Sequence, residues 1–200
     1  AGLKPPKMIF MAEVPSLGFV PYLFNPWCDG YSFGTNDYTQ LITGTDRDSP
    51  ILPFNEDIPA VRMAIATLAD SAHRENYEKY GILGPAEGLV PPEKGYPKEL
   101  GICGQAPSDL PQFLKFLAVY LDYVSVNPDA ILRTLEQLVK AEEELRQLCI
   151  KCGLDPKCVA EELSKEFDLW DPFGRKLPGV TEFRAKWLMA KLGLTPKNPS

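Results

Sequence analysis

Two hundred residues with 21 Lys+Arg against 27 Asp+Glu and a single His carry a formal charge of −6, and this acidic balance argues against a nucleic-acid partner, which needs a concentrated Lys/Arg face. At 44 % hydrophobic and 24 % charged, the chain has the composition of ordinary globular material, and no apolar run nears the roughly 18 residues of a membrane span. Proline is the outlier, 20 residues in 200, twice the usual ~5 %.

The chain opens Ala1-Gly2-Leu3-Lys4-Pro5-Pro6, with no initiator Met and no basic-then-apolar leader, and runs at once into Met8–Val14. A mature N-terminus that has lost its Met has this form, and so does a piece of a longer polypeptide. The second is the expectation, with a soluble, cytoplasmic location.

Lys7–Val14 is almost continuously apolar, as a strand buried on both faces should be. Three further strand-like runs follow: Gly30–Gly34, ending in Thr35-Asn36-Asp37; Glu99–Cys103, ending in Gly104-Gln105; and Tyr123–Asn127, ending in Pro128-Asp129. Helical periodicity fills the intervals. Asp57 is placed to cap a helix with Pro59 in its first turn and Val61, Ile65, Leu68 and Ala72 on one face. Ser108 or Asp109 is placed to cap the next, with a stripe of Leu110, Phe113, Leu114, Leu117 and Leu121, and Asn127 a third.

Strand and helix alternating at this spacing predict parallel strands with crossovers. Four such units make half of a (β/α)8 barrel or a small open sheet. Gly81–Lys98, rich in Gly, Pro, Glu and Lys, reads as a long loop. Beyond Asn127 only helices are predicted. The first sets Ile131, Leu135, Leu138, Leu145 and Cys149 near a 3.5-residue seam, and others begin at Asp155-Pro156 and span Thr181–Leu192. Trp170, Phe173, Phe183 and Trp187 are too many large aromatics to leave in water, and are expected to pack on the barrel or a neighbouring subunit.

Five cysteines, an odd number, do not make a secreted disulfide framework. Cys149, Cys152 and Cys158 are expected as half-buried helix-end residues. A partial metal site, a redox pair or one disulfide stay open as alternatives, although no His or fourth Cys lies near enough in sequence to complete a zinc site.

Chemistry in parallel α/β folds comes from the carboxyl ends of the strands. That rule selects Glu13, then Gly34, Thr35, Asn36 and Asp37, then Cys103, then Ser125 and Asn127. Singly, Glu13 reads as an ion-pair partner, Asp37 as a helix cap and Cys103 as a small core residue. At one rim, two carboxylates can share a Mg²⁺, a hard cation that takes oxygen ligands and keeps waters for substrate. Gly34 and Thr35 offer backbone N–H groups, and Cys103, with glycines at 101 and 104, is sterically open.

These residues carry a resemblance. Phe10-Met-Ala-Glu-Val-Pro-Ser16, Phe33-Gly-Thr-Asn-Asp-Tyr-Thr-Gln40, Gly44-Thr-Asp-Arg-Asp-Ser49, Gly101-Ile-Cys-Gly-Gln-Ala-Pro-Ser-Asp109 and Val124-Ser-Val-Asn-Pro-Asp129 resemble the C-terminal substrate-binding domain of the phosphoenolpyruvate (PEP)-utilising enzymes. The form is that of the synthases rather than of pyruvate, phosphate dikinase or enzyme I of the sugar phosphotransferase system, and it covers roughly residues 7–142.

The resemblance implies that 1–142 is the C-terminal half of a PEP/pyruvate-binding barrel; beyond its reach, the helical periodicity and aromatics of 143–200 read as a helical extension and a candidate oligomerisation element. It implies conversion of pyruvate, ATP and water to PEP, AMP and phosphate through a phosphohistidine. Glu13 and Asp37 would be Mg²⁺ ligands; Glu13, Gly34, Thr35, Asn36 and Asp37 would bind substrate; and Cys103 would move a proton at the methyl carbon of pyruvate. The phosphohistidine and nucleotide-binding domains would belong to the same full-length chain. The only histidine, His73, has none of the surroundings of a phosphorylated loop and is expected on the surface. Gly84-Pro-Ala-Glu-Gly88 lacks the Lys-Ser/Thr of a nucleotide loop, and Arg47 either binds anion or pairs with Asp46 or Asp48. An oligomerisation core without activity of its own, and the same domain from a dikinase, are the competing readings. Four strands alone would leave two unpaired edges, so self-association or the rest of the chain is expected to be needed for folding.

Overall fold

Alternation of side chains along four short strands decides which surface is core and which is site. The computed structural model describes residues 6–51, 53–85, 96–103, 106–167, 169 and 179–194. Strands β1 (Ile9–Ala12), β2 (Gly30–Gly34), β3 (Glu99–Cys103) and β4 (Tyr123–Val124) form one sheet in that order, every pair parallel. Register sets Ala12 beside Phe33, Phe33 beside Ile102, and Ile102 beside Val124.

One face of the sheet carries Phe10, Ala12, Tyr31, Phe33, Leu100 and Ile102, which pack with Val61, Ile65, Leu68, Phe113 and Leu117 of the helices in a single core. The alternate positions, Ile9 and Met11, Gly30, Ser32 and Gly34, Glu99, Gly101 and Cys103, and Tyr123, belong to the opposite face by the period of two. Met11 and Tyr123 there are 47 % and 41 % exposed. Helices thus line one side of a parallel sheet in sequential strand order, the arrangement of half a (β/α)8 barrel.

Short helices α1 (Ser16–Phe19) and α2 (Pro21–Phe24) lead from β1 to β2, and α3 (Thr35–Thr43) follows β2 directly. The long α4 (Pro59–Tyr80) buries the expected Val61, Ile65, Leu68 and Ala72 and stops at Gly81, whose φ of 70° a glycine adopts without strain. After β3 come α5 (Ala106–Asp109) and α6 (Pro111–Tyr120); after β4, a 3₁₀ turn at Pro128–Ala130 and α7 (Ile131–Lys151), α8 (Pro156–Glu166) and α9 (Glu182–Lys191).

Several local expectations fail for identifiable reasons. Asp57 does not cap α4; Ile58 holds that position, and the Asp57 carboxylate is taken by the Arg62 fork at 2.6 and 2.9 Å. Ser108 and Asp109 do not cap the helix carrying Phe113 but close α5, because Pro111 starts α6 with Leu110 as its cap residue. Asn127 precedes a 3₁₀ turn and gives it no side-chain cap. The first strand is shorter than Lys7–Val14, and the fourth ends at Val124 rather than Asn127. On α7 the buried line is Thr134, Ala141, Leu145 and Cys149, whereas Ile131 and Leu135 of the expected seam are 50 % and 55 % exposed.

Asp155 does cap α8, accepting from the amides of Lys157 and Cys158, and Thr181 caps α9. Cys152 and Cys158 form a disulfide across the α7–α8 corner, overturning the expectation of three unbonded helix-end thiols; Cys149 is buried and free, its thiol pushed up to about 11 by burial. Of the predicted loop Gly81–Lys98, residues 86–95 lie outside the described residues, as do Trp170 and Phe173.

His73, expected on the surface, is 1 % exposed. Its ring stacks on Trp187 of α9 at 4.5 Å between centroids. Arg184 Nη2, an obligate donor, lies 3.0 Å from Nδ1, which makes Nδ1 the acceptor and leaves Nε2–H to donate to Asp122 Oδ2 at 3.1 Å. Asp122 Oδ2 also accepts from the Leu100 amide, and Asp70 accepts from both Arg184 Nε and Thr181 Oγ1. The Arg184 guanidinium, fully buried, sits over the Tyr120 and Trp187 rings. One polar chain therefore joins α9 to α4 and to the β3–β4 edge.

Burial holds the His73 pKa below its ordinary value, with Arg184 acting in the same direction against Asp122 and Asp70. The unfolded chain, titrating near 6.5, then takes up the proton first. This histidine's contribution is complete above about pH 6.5 and declines as pH falls toward its lowered folded-state value. His73→Gln, which keeps one donor and one acceptor, is expected to flatten that part of the urea-midpoint profile relative to wild type; parallel profiles below pH 6.5 would refute the assignment.

Candidate functional site

The open face ends, at the carboxyl edge of the sheet, in a row of small and functional residues. Glu13 follows β1 directly and is half-buried. Its Cγ and Oε1 fill the space over Gly34, each 2.6 Å from where a Cβ would stand, so any side chain there would push this carboxyl group from its seat. Gly34 is in register with Cys103 on its other side. The half-buried Cys103 Sγ donates to the Phe33 carbonyl at 3.5 Å. Ser125, whose amide bonds Ile102 O at 3.0 Å, continues the ladder past β4 and is exposed, as is Asn127.

The β2–α3 junction adjoins this row. Gly34 caps α3 without any side-chain bond, so the first amides of the helix have no side-chain acceptor at the N-cap, and helix geometry gives them no partner within the helix. Asn36 is half-buried and Asp37 exposed in that first turn, where an acidic side chain suits the helix dipole. Thr35 is different: it is fully buried, and its hydroxyl donates to Glu56 Oε2. Thr35 thus faces the mouth through its backbone only.

The structure brings Glu13, Gly34 and Cys103 together at adjacent strand ends and sets Thr35, Asn36 and Asp37 in the turn leaving the middle strand. Gly104 and Gln105 lie outside the described residues. Arg47 is exposed with its Nε 4.0 Å from Asp48, one of the two carboxylates named above as its alternative partners. Among the described residues no group of three or more His, Cys, Asp and Glu side chains gathers as a metal cage. Glu13 and Asp37 are two hard oxygen donors, suited to a cation that keeps waters and takes its remaining ligands from a substrate.

Two neighbours of the site escaped sequence reasoning. Tyr123 lies one row deeper, its ring carbons 1.9 Å from where a Cβ of Gly101 would be, so a mid-strand glycine was the available signal for close approach. Burial, then the Glu99, Asp122 and Cys103 charges, push its phenol pKa upward. Glu56, 8 % exposed, gave no signal beyond being an acid in the Asn55-Glu56-Asp57 turn before α4.

Residues 3–143 match the family described as PEP-utilising enzyme, PEP-binding domain. The chain is 37 % identical over 142 residues to a phosphoenolpyruvate synthase of Aquifex aeolicus, covering 70 % of this chain and 14 % of that protein. It is 38 % identical over 144 residues to a probable phosphoenolpyruvate synthase of Staphylothermus marinus, covering 70 % and 15 %. With the phosphoenolpyruvate synthase of Escherichia coli it shares 31 % over 140 residues, covering 68 % and 15 %. The chain spans about 15 % of the length of these curated relatives. With more than two thirds of its length inside that profile and the parallel half-barrel expected of it, the chain belongs to the PEP-utilising enzyme family, in the PEP-binding domain.

Proposed function

We propose that this chain supplies the pyruvate/PEP site of a phosphoenolpyruvate synthase, an enzyme of the pyruvate, water dikinase type that converts ATP, pyruvate and water to AMP, PEP and phosphate. The observation that carries the reading is the seating of the Glu13 carboxyl group over Gly34 with Cys103 as Gly34's partner on the other side. Residues 1–142 are the barrel half and 143–200 the helical extension. The nucleotide-binding and phosphohistidine domains belong to the rest of the full-length polypeptide, and the chain by itself does not complete the reaction. His73 is no substitute for the phosphorylated residue, since both its ring nitrogens are engaged inside the core.

Glu13 and Asp37 would hold Mg²⁺. The absent Cβ of Gly34 leaves the Glu13 carboxyl its space, and Asp37 is exposed in the adjoining turn. When bound, Mg²⁺ polarises the carbonyl and carboxylate oxygens of pyruvate, which eases loss of a methyl proton. The backbone amides of the Gly34–Asn36 turn bind the carboxylate and phosphoryl oxygens, their orientation fixed before substrate arrives. Cys103 Sγ, held at the rim by the Phe33 carbonyl, exchanges the proton with the methyl carbon. The synthase reading is preferred to the dikinase because the relatives quoted above are synthases.

In the full-length enzyme, Cys103→Ala is expected to lower PEP formation by about 10²-fold or more, with Asp37→Asn acting similarly through the Mg²⁺ requirement. Wild-type rates in Cys103→Ala would remove the proton-transfer role.

A second reading, self-association through this domain, is favoured by the line Leu132, Leu135 and Val139 on α7, exposed by 77 %, 55 % and 61 %. Removing 143–200 would also strip Arg184 from Asp70 and His73, so surface substitution is the cleaner test. Leu132→Glu with Val139→Glu is expected to reduce the sedimenting species to a monomer. A wild-type monomer, or an oligomer untouched by both charges, would exclude this face.

A further inference from the structure

Thr35 is the first residue of α3, beside the free amides that its glycine N-cap leaves without a side-chain acceptor. Here it turns away from them. The side chain is fully buried and its hydroxyl donates to the carboxylate of Glu56, 21 residues along the chain. A carboxylate taken into a protein interior is costly unless bonded, and a hydroxyl–carboxylate bond is stronger than one between neutral groups.

Glu56 is itself held on both sides. Asn55 Oδ1 accepts from the Asp57 amide at 2.9 Å, closing a tight turn around it. Asp57 is clamped by both Nε and Nη2 of Arg62, and Arg62 Nη1 donates to the Phe167 carbonyl just beyond α8 at 2.7 Å. The Arg62 guanidinium rests over the Phe116 and Phe167 rings at 5.6 and 5.9 Å. The backbone that carries Glu56 is therefore held through its two neighbours, Asp57 being fixed to α4 and the segment after α8 by Arg62, and Thr35 is tied to the Glu56 carboxylate.

We propose that Glu56 is a positioning residue for the pyruvate/PEP site: by anchoring the Thr35 hydroxyl it holds the Gly34–Asp37 turn with its amides and the Asp37 carboxylate presented to the mouth. This rests on the site assigned above. Glu56 touches no substrate and acts through Thr35. Glu56→Gln keeps an acceptor oxygen, Thr35→Ser keeps the donor, and Glu56→Ala and Thr35→Val each delete one end of the bond.

The test is steady-state kinetics of these variants in the full-length enzyme, with pyruvate and Mg²⁺ varied separately and the urea midpoint measured alongside. Glu56→Ala and Thr35→Val are each expected to raise the pyruvate KM and the Mg²⁺ needed for half-activation about tenfold, the loss of one charge-assisted bond. The double variant should be no worse than the worse single, because both remove the same contact. Glu56→Gln and Thr35→Ser should stay within about threefold of wild type. A lower urea midpoint with unchanged KM and Mg²⁺ requirement, or fully additive effects, would overturn the positioning role. Should Glu56→Ala not fold, Thr35→Val against Thr35→Ser decides the same question. If Cys103→Ala and Asp37→Asn left PEP formation intact, the site assignment itself would fall. If they abolished it while Thr35→Val changed nothing, only the role of Glu56 would.

Discussion

Gly34 stands between Glu13 and Cys103 because three strands run parallel in fixed register, and no residue with a Cβ can stand there while the Glu13 side chain lies across it. A slip of one residue between β1 and β2 would send Glu13 toward the helix layer and bring Ala12 to the rim, since the two faces of a strand exchange with every step. Register is defended by the core: Tyr31, Phe33, Leu100 and Ile102 are all fully buried against α4 and α6 and cannot be turned outward without losing that burial. Packing on one side of the sheet thus fixes chemistry on the other.

The rear of the fold is secured by a different kind of contact. Arg184 reaches from α9 into the gap between α4 and α6, satisfying Asp70, the Val119 carbonyl and His73, while His73 passes the connection on to Asp122 and the Leu100 amide. Such a chain tolerates no missing member, because removing one partner of a buried charged pair leaves the other without compensation, typically at about 3–5 kcal/mol. Lys98 does similar service at the entrance to β3: its backbone is bracketed by the Asn76 amide and its ammonium donates to the Asn25 and Cys28 carbonyls. Helix α9 is therefore integral to the helix layer.

Much of this was legible. Gly30–Gly34 and Glu99–Cys103 could be read as strands to the residue because turn-forming clusters bound them on both sides, and the strand-end rule then picks out Glu13, Gly34 and Cys103 as neighbours. What stayed hidden depends on distant segments. His73 looks like a polar residue on an amphipathic helix until Trp187 and Arg184 arrive from more than 100 positions away. Asp57 has the right spacing for a cap, but Arg62 one turn on offers a two-pronged partner that an amide cannot match. The α7 seam held at Leu145 and Cys149 but not at Ile131 and Leu135, because apolar periodicity reports which residues could be buried, whereas burial itself depends on which neighbours reach them. Glu56 was unreadable for the same reason: its bond to Thr35 joins positions 21 residues apart.

The corner between α7 and α8 is made twice over. Backbone bonds from Gly153 to Ile150 and from Leu154 to Cys149 wind the chain through two left-handed residues, Leu154 with a φ of 60°, and Asp155 then starts the next helix. The sulfur bridge spans the same corner between residues only six positions apart in sequence, a closure worth about 2 kcal/mol on chain-entropy grounds. Opening it to two thiols would leave the bend drawn by the main chain, so this part of the molecule is suited to surroundings of either redox character without rearranging the helices that follow.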